Sequence, residues 1–247
     1  MTDDIGPMRC LCYRNKYPEL KQHMKTYNCN GCRMDGRGEG YMCDECDYTL
    51  HSQCMYPSNK ITPSFSRGDD IFEFMKEPLS TSGQGIRYCD ACGMRIKGFV
   101  YHCYKTGFDL HPCCASLGTH LEIDGQRLTL KKESSQNKCD LCNLDGVNKS
   151  GRIDFGWFYA SKNKDYKYHV SCIMILAIKH SISGGSALAK VESLPIVEKK
   201  RRGKDGSKYW KVLKAIVTYV IAIVFGDPTA IVAKLIVESV VQLGELL

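Results

Sequence analysis

Three stretches of the chain repeat one short alternation of large and small or polar positions. Tyr48-x-Leu50, Phe108-x-Leu110 and Tyr166-x-Tyr168 each end on the residue before a histidine: His51, His111 or His169. A period of two places such side chains on one face of a strand. Upstream, Gly38-x2-Tyr41, Gly98-x2-Tyr101 and Gly156-x2-Tyr159 recur in the same register, which confirms the alignment of the copies. The copies are internal repeats, each too short to be an ordinary domain. After Ser181 the period changes. Residues 208–225 read as a helix with Lys208, Lys211, Lys214 and Thr218 on one stripe. Gly226 suits a C-cap, Asp227 an N-cap and Pro228 a first turn. A second helix then follows, with Lys234, Glu238, Gln242 and Glu245 on its polar face. The expectation is a helical hairpin over 208–246, joined to the repeats by a basic, flexible linker over 183–207.

Cysteine gives the repeats their chemistry. The chain has 15, and the fullest copy reads Cys29-x2-Cys32, Cys43-x2-Cys46, His51-x2-Cys54. Repeat two keeps Cys89-x2-Cys92, Cys103 and His111-x2-Cys114, with Thr106 in the place of Cys46. Repeat three keeps Cys139-x2-Cys142 and His169-x2-Cys172, with Ser161 and Lys164 where the middle pair stood and extra residues near Asp145–Ile153. Thiolate and imidazole at these spacings suit tetrahedral zinc. The N-terminus shows no secretory signal, so a reducing compartment is expected, where metal ligands are favoured over cystines. A disulfide oxidoreductase would need a Cys-x2-Cys without His and Cys partners in register, and a ubiquitin ligase of RING type needs another ligand order. These remain the alternative class.

On these residues the chain resembles the plant DC1 (divergent C1, cysteine/histidine-rich) family, relatives of the phorbol-ester/diacylglycerol-type C1 zinc fingers. The resemblance implies small zinc-stabilised β-rich (α+β) modules, here three C1-like repeats at 9–57, 77–117 and 120–178, with 58–76 as a linker. It further implies that the first cysteine pair joins the late His and Cys. The ligand sets are then Cys29, Cys32, His51, Cys54; Cys89, Cys92, His111, Cys114; and Cys139, Cys142, His169, Cys172. A second site in module one would use Cys43 and Cys46, completed by His23 and one of Cys10 or Cys12. Module two retains Cys103 for such a site, with His102, Cys113 and His120 nearby, and module three should lack it. Packing by Trp157, Phe158, Tyr159 and Ile173–Ile178 would offset that loss, at roughly 2–3 kcal/mol per buried large side chain. Three zincs are expected, with a fourth in module one. Cys113 and His180 otherwise stand alone and read as packing or surface positions. The segment Arg33–Met42 reads as a short polar loop, which argues against diacylglycerol binding.

Charge separates the tail from the repeats. Lys199, Lys200, Arg201, Arg202, Lys204, Lys208, Lys211 and Lys214, against Asp205 alone, account for the net charge of +7. The remainder is close to neutral, which excludes a broad nucleic-acid surface there. The basic run suits a solvated linker, a nuclear import signal or contact with anionic lipid. The apolar stretch Ala215–Gly226 falls short of the ~20 residues a spanning helix needs. The reading is a non-enzymatic zinc-binding scaffold for protein partners in intracellular signalling. It is expected to be cytoplasmic, with the tail over 199–247 either contacting an anionic membrane surface or packing on the zinc modules or on itself.

Overall fold

The computed structural model describes residues 5–10, 12, 16–66, 68–79, 86–123, 125–132, 138–145, 156–163, 165–182 and 206–225. The chain divides into two compact units, one built on Met1–Asp90 and Met94–Leu117, the other on Gly118–Ala222.

In the first unit, β1 (Glu19–Asn28) pairs antiparallel with β2 (Asp35–Met42), with an irregularity between His23 and Tyr27. β3 (Thr49–Leu50) pairs on the other edge of β2, Tyr41 opposite Leu50, and α1 (Ser52–Met55) follows. The segment 33–42 is therefore mostly strand, not the polar loop expected. Its glycines hide the strand signal, but they are required: a Cβ on Gly36 would lie 2.3 Å from Tyr27 Cζ and 2.6 Å from His51 Nε2. A second sheet has the order β4 (Lys60–Ile61), β5 (Phe72–Met75), β6 (Val100–His102), β7 (Asp109–Leu110), and α2 (Pro112–Ala115) follows. The first two of these strands lie inside 58–76, so the expected linker is part of module two. Phe72 and Phe74 are buried, with Phe74 edge-on to Phe99 at 5.1 Å.

The second unit holds a sheet in the order β11-β10-β9-β8, from β8 (His120–Ile123), β9 (Gln126–Lys131), β10 (Phe158–Ser161) and β11 (Lys167–His169). α3 (Val170–Ile182) continues from β11, and α4 (Gly206–Phe225) realises the first helix expected of the tail. Equivalent positions of the three repeats pair in all three sheets: Tyr41 opposite Leu50, Tyr101 opposite Leu110, Tyr159 opposite Tyr168.

α4 buries its apolar side. Val212, Leu213, Ile216, Val217 and Val220 are at most 1 % exposed, while Lys208, Lys211 and Lys214 face solvent. Tyr209 stacks on Tyr166 at 6.2 Å, and Tyr219 Oη accepts from Gly118 N at 2.6 Å. Trp157, Phe158, Tyr159, Ile173 and Met174 are buried, as expected of the third module, while Ile175 is exposed. Among the described residues, no helix is long and apolar enough to cross a membrane. The linker before Gly206, the second tail helix, the insertion at 146–155 and Lys164 lie outside the described residues.

Candidate metal centres

Each first cysteine pair sits on one turn, built the same way three times. The N–H of its first cysteine donates to the carbonyl five residues on: Cys29 to Met34 at 2.9 Å, Cys89 to Met94 at 2.9 Å, Cys139 to Leu144 at 2.7 Å. The residue after its second cysteine lies in the left-handed region, Arg33 at φ 64°, Gly93 at 68° and Asn143 at 61°. The residue after its first cysteine ties the turn to the strand before the histidine. Asn30 Oδ1 accepts from Thr49 N at 2.7 Å, Asp90 Oδ2 from Asp109 N at 2.7 Å, and Asp140 Oδ2 from Lys167 N at 3.0 Å. The backbone returns each bond, from the N–H of 30, 90 and 140 to the carbonyls of 49, 109 and 167. This Asn/Asp clamp is visible in the sequence as a polar residue after the first cysteine of each repeat, but ligand spacing alone does not single it out.

The clamp brings four donors together in each copy. Cys29, Cys32, His51 and Cys54 form one cluster; Cys89, Cys92, His111 and Cys114 a second; Cys139, Cys142, His169 and Cys172 a third; all donor atoms in a cluster lie within 4.8 Å of one another. His51 Nδ1 is 3.4 Å from Cys32 Sγ, and His169 Nδ1 is 3.4 Å from Cys142 Sγ and 3.7 Å from Cys172 Sγ. Tetrahedral zinc, at about 2.3 Å from sulfur and about 2.0–2.1 Å from nitrogen, holds its donors roughly 3.5–3.8 Å apart, so the separations fit. The tautomer fits as well. His51 Nε2 lies 3.2 Å from the Asp35 carbonyl, which accepts its proton and leaves the Nδ1 lone pair facing the sulfurs. In the third cluster Cys139 Sγ accepts from the N–H of His169 at 3.4 Å and of Leu141 at 3.4 Å, bonds suited to a thiolate.

Electrostatics ask for a cation. The Cys172 contact, with His169 adding to it against burial, holds Cys139 down at about 3, while the Cys139 contact and burial push Cys172 up. Thiols this close cannot all ionise unless a positive ion sits among them. Zinc would be held by the three cysteines and one histidine of each such cluster and would supply a fixed charge that closes the fold.

A fourth cluster joins Cys10, Cys12, Cys43 and Cys46. Cys43 Sγ lies 3.3 Å from Cys10 Sγ and 3.9 Å from Cys12 Sγ, and the Cys12 contact with burial raises Cys10 to about 12. Here the expectation needs correction. Both Cys10 and Cys12 take part, and His23 does not. Its ring packs on Tyr27 at 4.5 Å, and burial lowers its pKa. Position in β1 decides this: the strand carries His23 along the sheet opposite Gly38, while the segment before it brings Cys10 back, with Cys10 N bonded to Lys16 O.

Among the described residues the second site of modules two and three has no counterpart cluster. Cys103 is buried, Thr106 Oγ1 accepts from Phe108 N, and His120 Nδ1 is 3.1 Å from Thr129 Oγ1. His102 Nδ1 is 2.8 Å from Asp109. The loop keeps one geometry with or without such a cluster. Cys43 N donates to Tyr48 O, Cys103 N to Phe108 O and Ser161 N to Tyr166 O, in one geometry. Where the thiol became Ser161, its Oγ accepts from Tyr166 N at 3.1 Å.

Residues 16–55 and 74–115, which hold the first and second clusters of three cysteines and one histidine, match the C1 domain family. Both segments are divergent C1-type domains. No solved structure matches the chain. The third repeat lies outside the matched segments, yet it carries the same strand pairing and the same first cluster of three cysteines and one histidine. C1 domains are in general non-enzymatic binding modules, and the four Cys/His clusters found among the described residues suit zinc. One thiol departs from its expected place. Cys113, which reads from sequence as a packing or surface position, lies beside the first cluster.

Proposed function

We propose that the chain is a non-enzymatic, zinc-held interaction scaffold in intracellular signalling, and that its basic tail contacts an anionic membrane surface. The observation that carries the first half is closure: each cluster offers four protein donors, which fill a tetrahedron and leave no position for a reacting water. Zinc in such a site contributes folding free energy and presents no chemistry to solvent. The rival thiol-dependent enzyme would hold a labile, reducible disulfide in a pair such as Cys89 and Cys92. Metal analysis of purified protein separates the two. Four tightly held zincs with unreactive thiols support the scaffold, and a Cys89–Cys92 disulfide that turns over overturns it.

What supports the second half is the division of α4 into a buried apolar side and a solvent-facing row of Lys208, Lys211 and Lys214. With the apolar side buried, the contact would be electrostatic and peripheral, at about 1 kcal/mol per basic residue near an anionic surface. Sedimentation with phosphatidylserine-containing vesicles should be strong at low salt and lost at high salt. Replacing the three lysines by glutamine should weaken it. Equal binding to neutral vesicles, or binding indifferent to salt, removes the membrane from the proposal. Diacylglycerol is not part of it, because 35–42, where an apolar-tipped loop would be needed, forms a glycine-rich strand.

A further inference from the structure

Cys113 is the second residue of α2 and stands in the same place relative to His111 as Gln53 does to His51. It is fully buried, at 0 % exposure. Its Sγ lies 3.4 Å from His51 Nδ1, the nitrogen that is also 3.4 Å from Cys32 Sγ. Cys32 and Cys54 are in contact with it as well, and Gln53 Oε1 accepts from its thiol at 3.8 Å. A buried cysteine is commonly no more than a small apolar side chain. This one instead aims its sulfur at the metal-facing nitrogen, at a separation belonging to two donors on one ion. A fifth donor thus stands beside the four that would fill the tetrahedron of the first cluster.

We propose that Cys113 is a reserve ligand of this cluster. It would replace His51 and convert a site of three cysteines and one histidine into an all-cysteine site of Cys29, Cys32, Cys54 and Cys113. In the exchange the zinc–nitrogen bond breaks as the zinc–sulfur bond forms. The thiol proton passes to the released Nδ1, so charge is conserved and no oxidant or reductant is needed. The released imidazolium keeps its Nε2 bond to the Asp35 carbonyl. Metal held this way would tie α2 of module two directly to the centre of module one. The inference rests on the zinc reading above.

Cobalt substitution in the full chain tests it, because thiolate-to-cobalt charge-transfer absorption counts the sulfurs on each ion. Wild-type protein should bind four Co2+. His51→Gln, which keeps an amide donor for Asp35, and His51→Ala should also bind four, with charge-transfer intensity increased by one thiolate. Adding Cys113→Ser to either should reduce the count to three. A His51 variant that binds only three, or four with unchanged intensity, overturns the inference, as does a double variant that still binds four. Fewer than four in the wild type instead counts against the metal reading itself.

Discussion

Arg33, Gly93 and Asn143 share one backbone position, and the left-handed region costs them unequally. Glycine enters it freely and asparagine with little strain, whereas arginine carries a steric cost of order 1 kcal/mol or more. Arg33 is exposed, so its side chain offers little in return. Arg33→Gly should therefore raise stability by about 0.5–1 kcal/mol net of the greater freedom of an unfolded glycine, read as a higher urea midpoint of the zinc-bound protein. A lower midpoint would show that the arginine makes a contact worth more than its strain. The Asn/Asp clamp gives a companion case. Asn30 serves module one, so Asp90→Asn should be close to neutral in module two. Asp90→Ala leaves Asp109 N–H without its acceptor and should cost about 1–3 kcal/mol, with earlier zinc release to a chelator. The twelve candidate donors of the three repeated clusters could be grouped from sequence because each pair lies on a local turn whose geometry its spacing dictates. Cys113 could not, since nothing local says that the second residue of α2 will meet a cluster sixty residues upstream.

At the scale of elements the strands are short, and shortness limits what periodicity can reveal. β4 has two residues and β5 four, flanked by Ser, Gly and Asp, and this mixture reads as a linker although Phe72 and Phe74 alternate as a buried strand requires. β2 is masked differently, by glycines that vacate the space filled by Tyr27 and His51. α4, long and evenly periodic, was legible, but which surface its apolar side would cover depends on residues far away in sequence, Tyr166 and Gly118 among them. One close approach holds the first unit's two modules in contact. Phe99 N donates to Gly31 O at 3.0 Å, and a Cβ on Gly98 would fall 2.0 Å from that same oxygen. No rotamer relieves a clash with backbone. Gly98→Ala should cost roughly 1–3 kcal/mol, while Gly107→Ser, at an open position with φ 72°, should cost only the strain of its turn. Thermal denaturation of both variants checks the contrast, and equal losses would mean that the Gly31 contact is dispensable.

Across the whole molecule, metal and packing divide the work unequally between modules. The strand beside the clusters of module one, β2, carries glycines at 36, 38 and 40, which give it little side chain to bury, and two clusters share its module. The corresponding strand of module three, β10, presents Phe158 and Tyr159, joined in the core by Trp157, Tyr168 and the apolar side of α4, around a single cluster. Small modules with thin cores depend on metal to fold, whereas a core of several large side chains, each contributing about 1.5–3 kcal/mol, can persist without it. Both tryptophans, Trp157 and Trp210, belong to the second unit, so their emission reports on that unit alone. Complete chelation should abolish amide protection in residues 19–50 while tryptophan emission stays blue-shifted and amides of β10 and α4 remain protected. Acid should reproduce the pattern, since protonated thiols and imidazoles release zinc. If tryptophan emission instead moves to the red in step with the first metal lost, module three has no core of its own. The packing of α4 would then depend on zinc as much as the sheets of module one do.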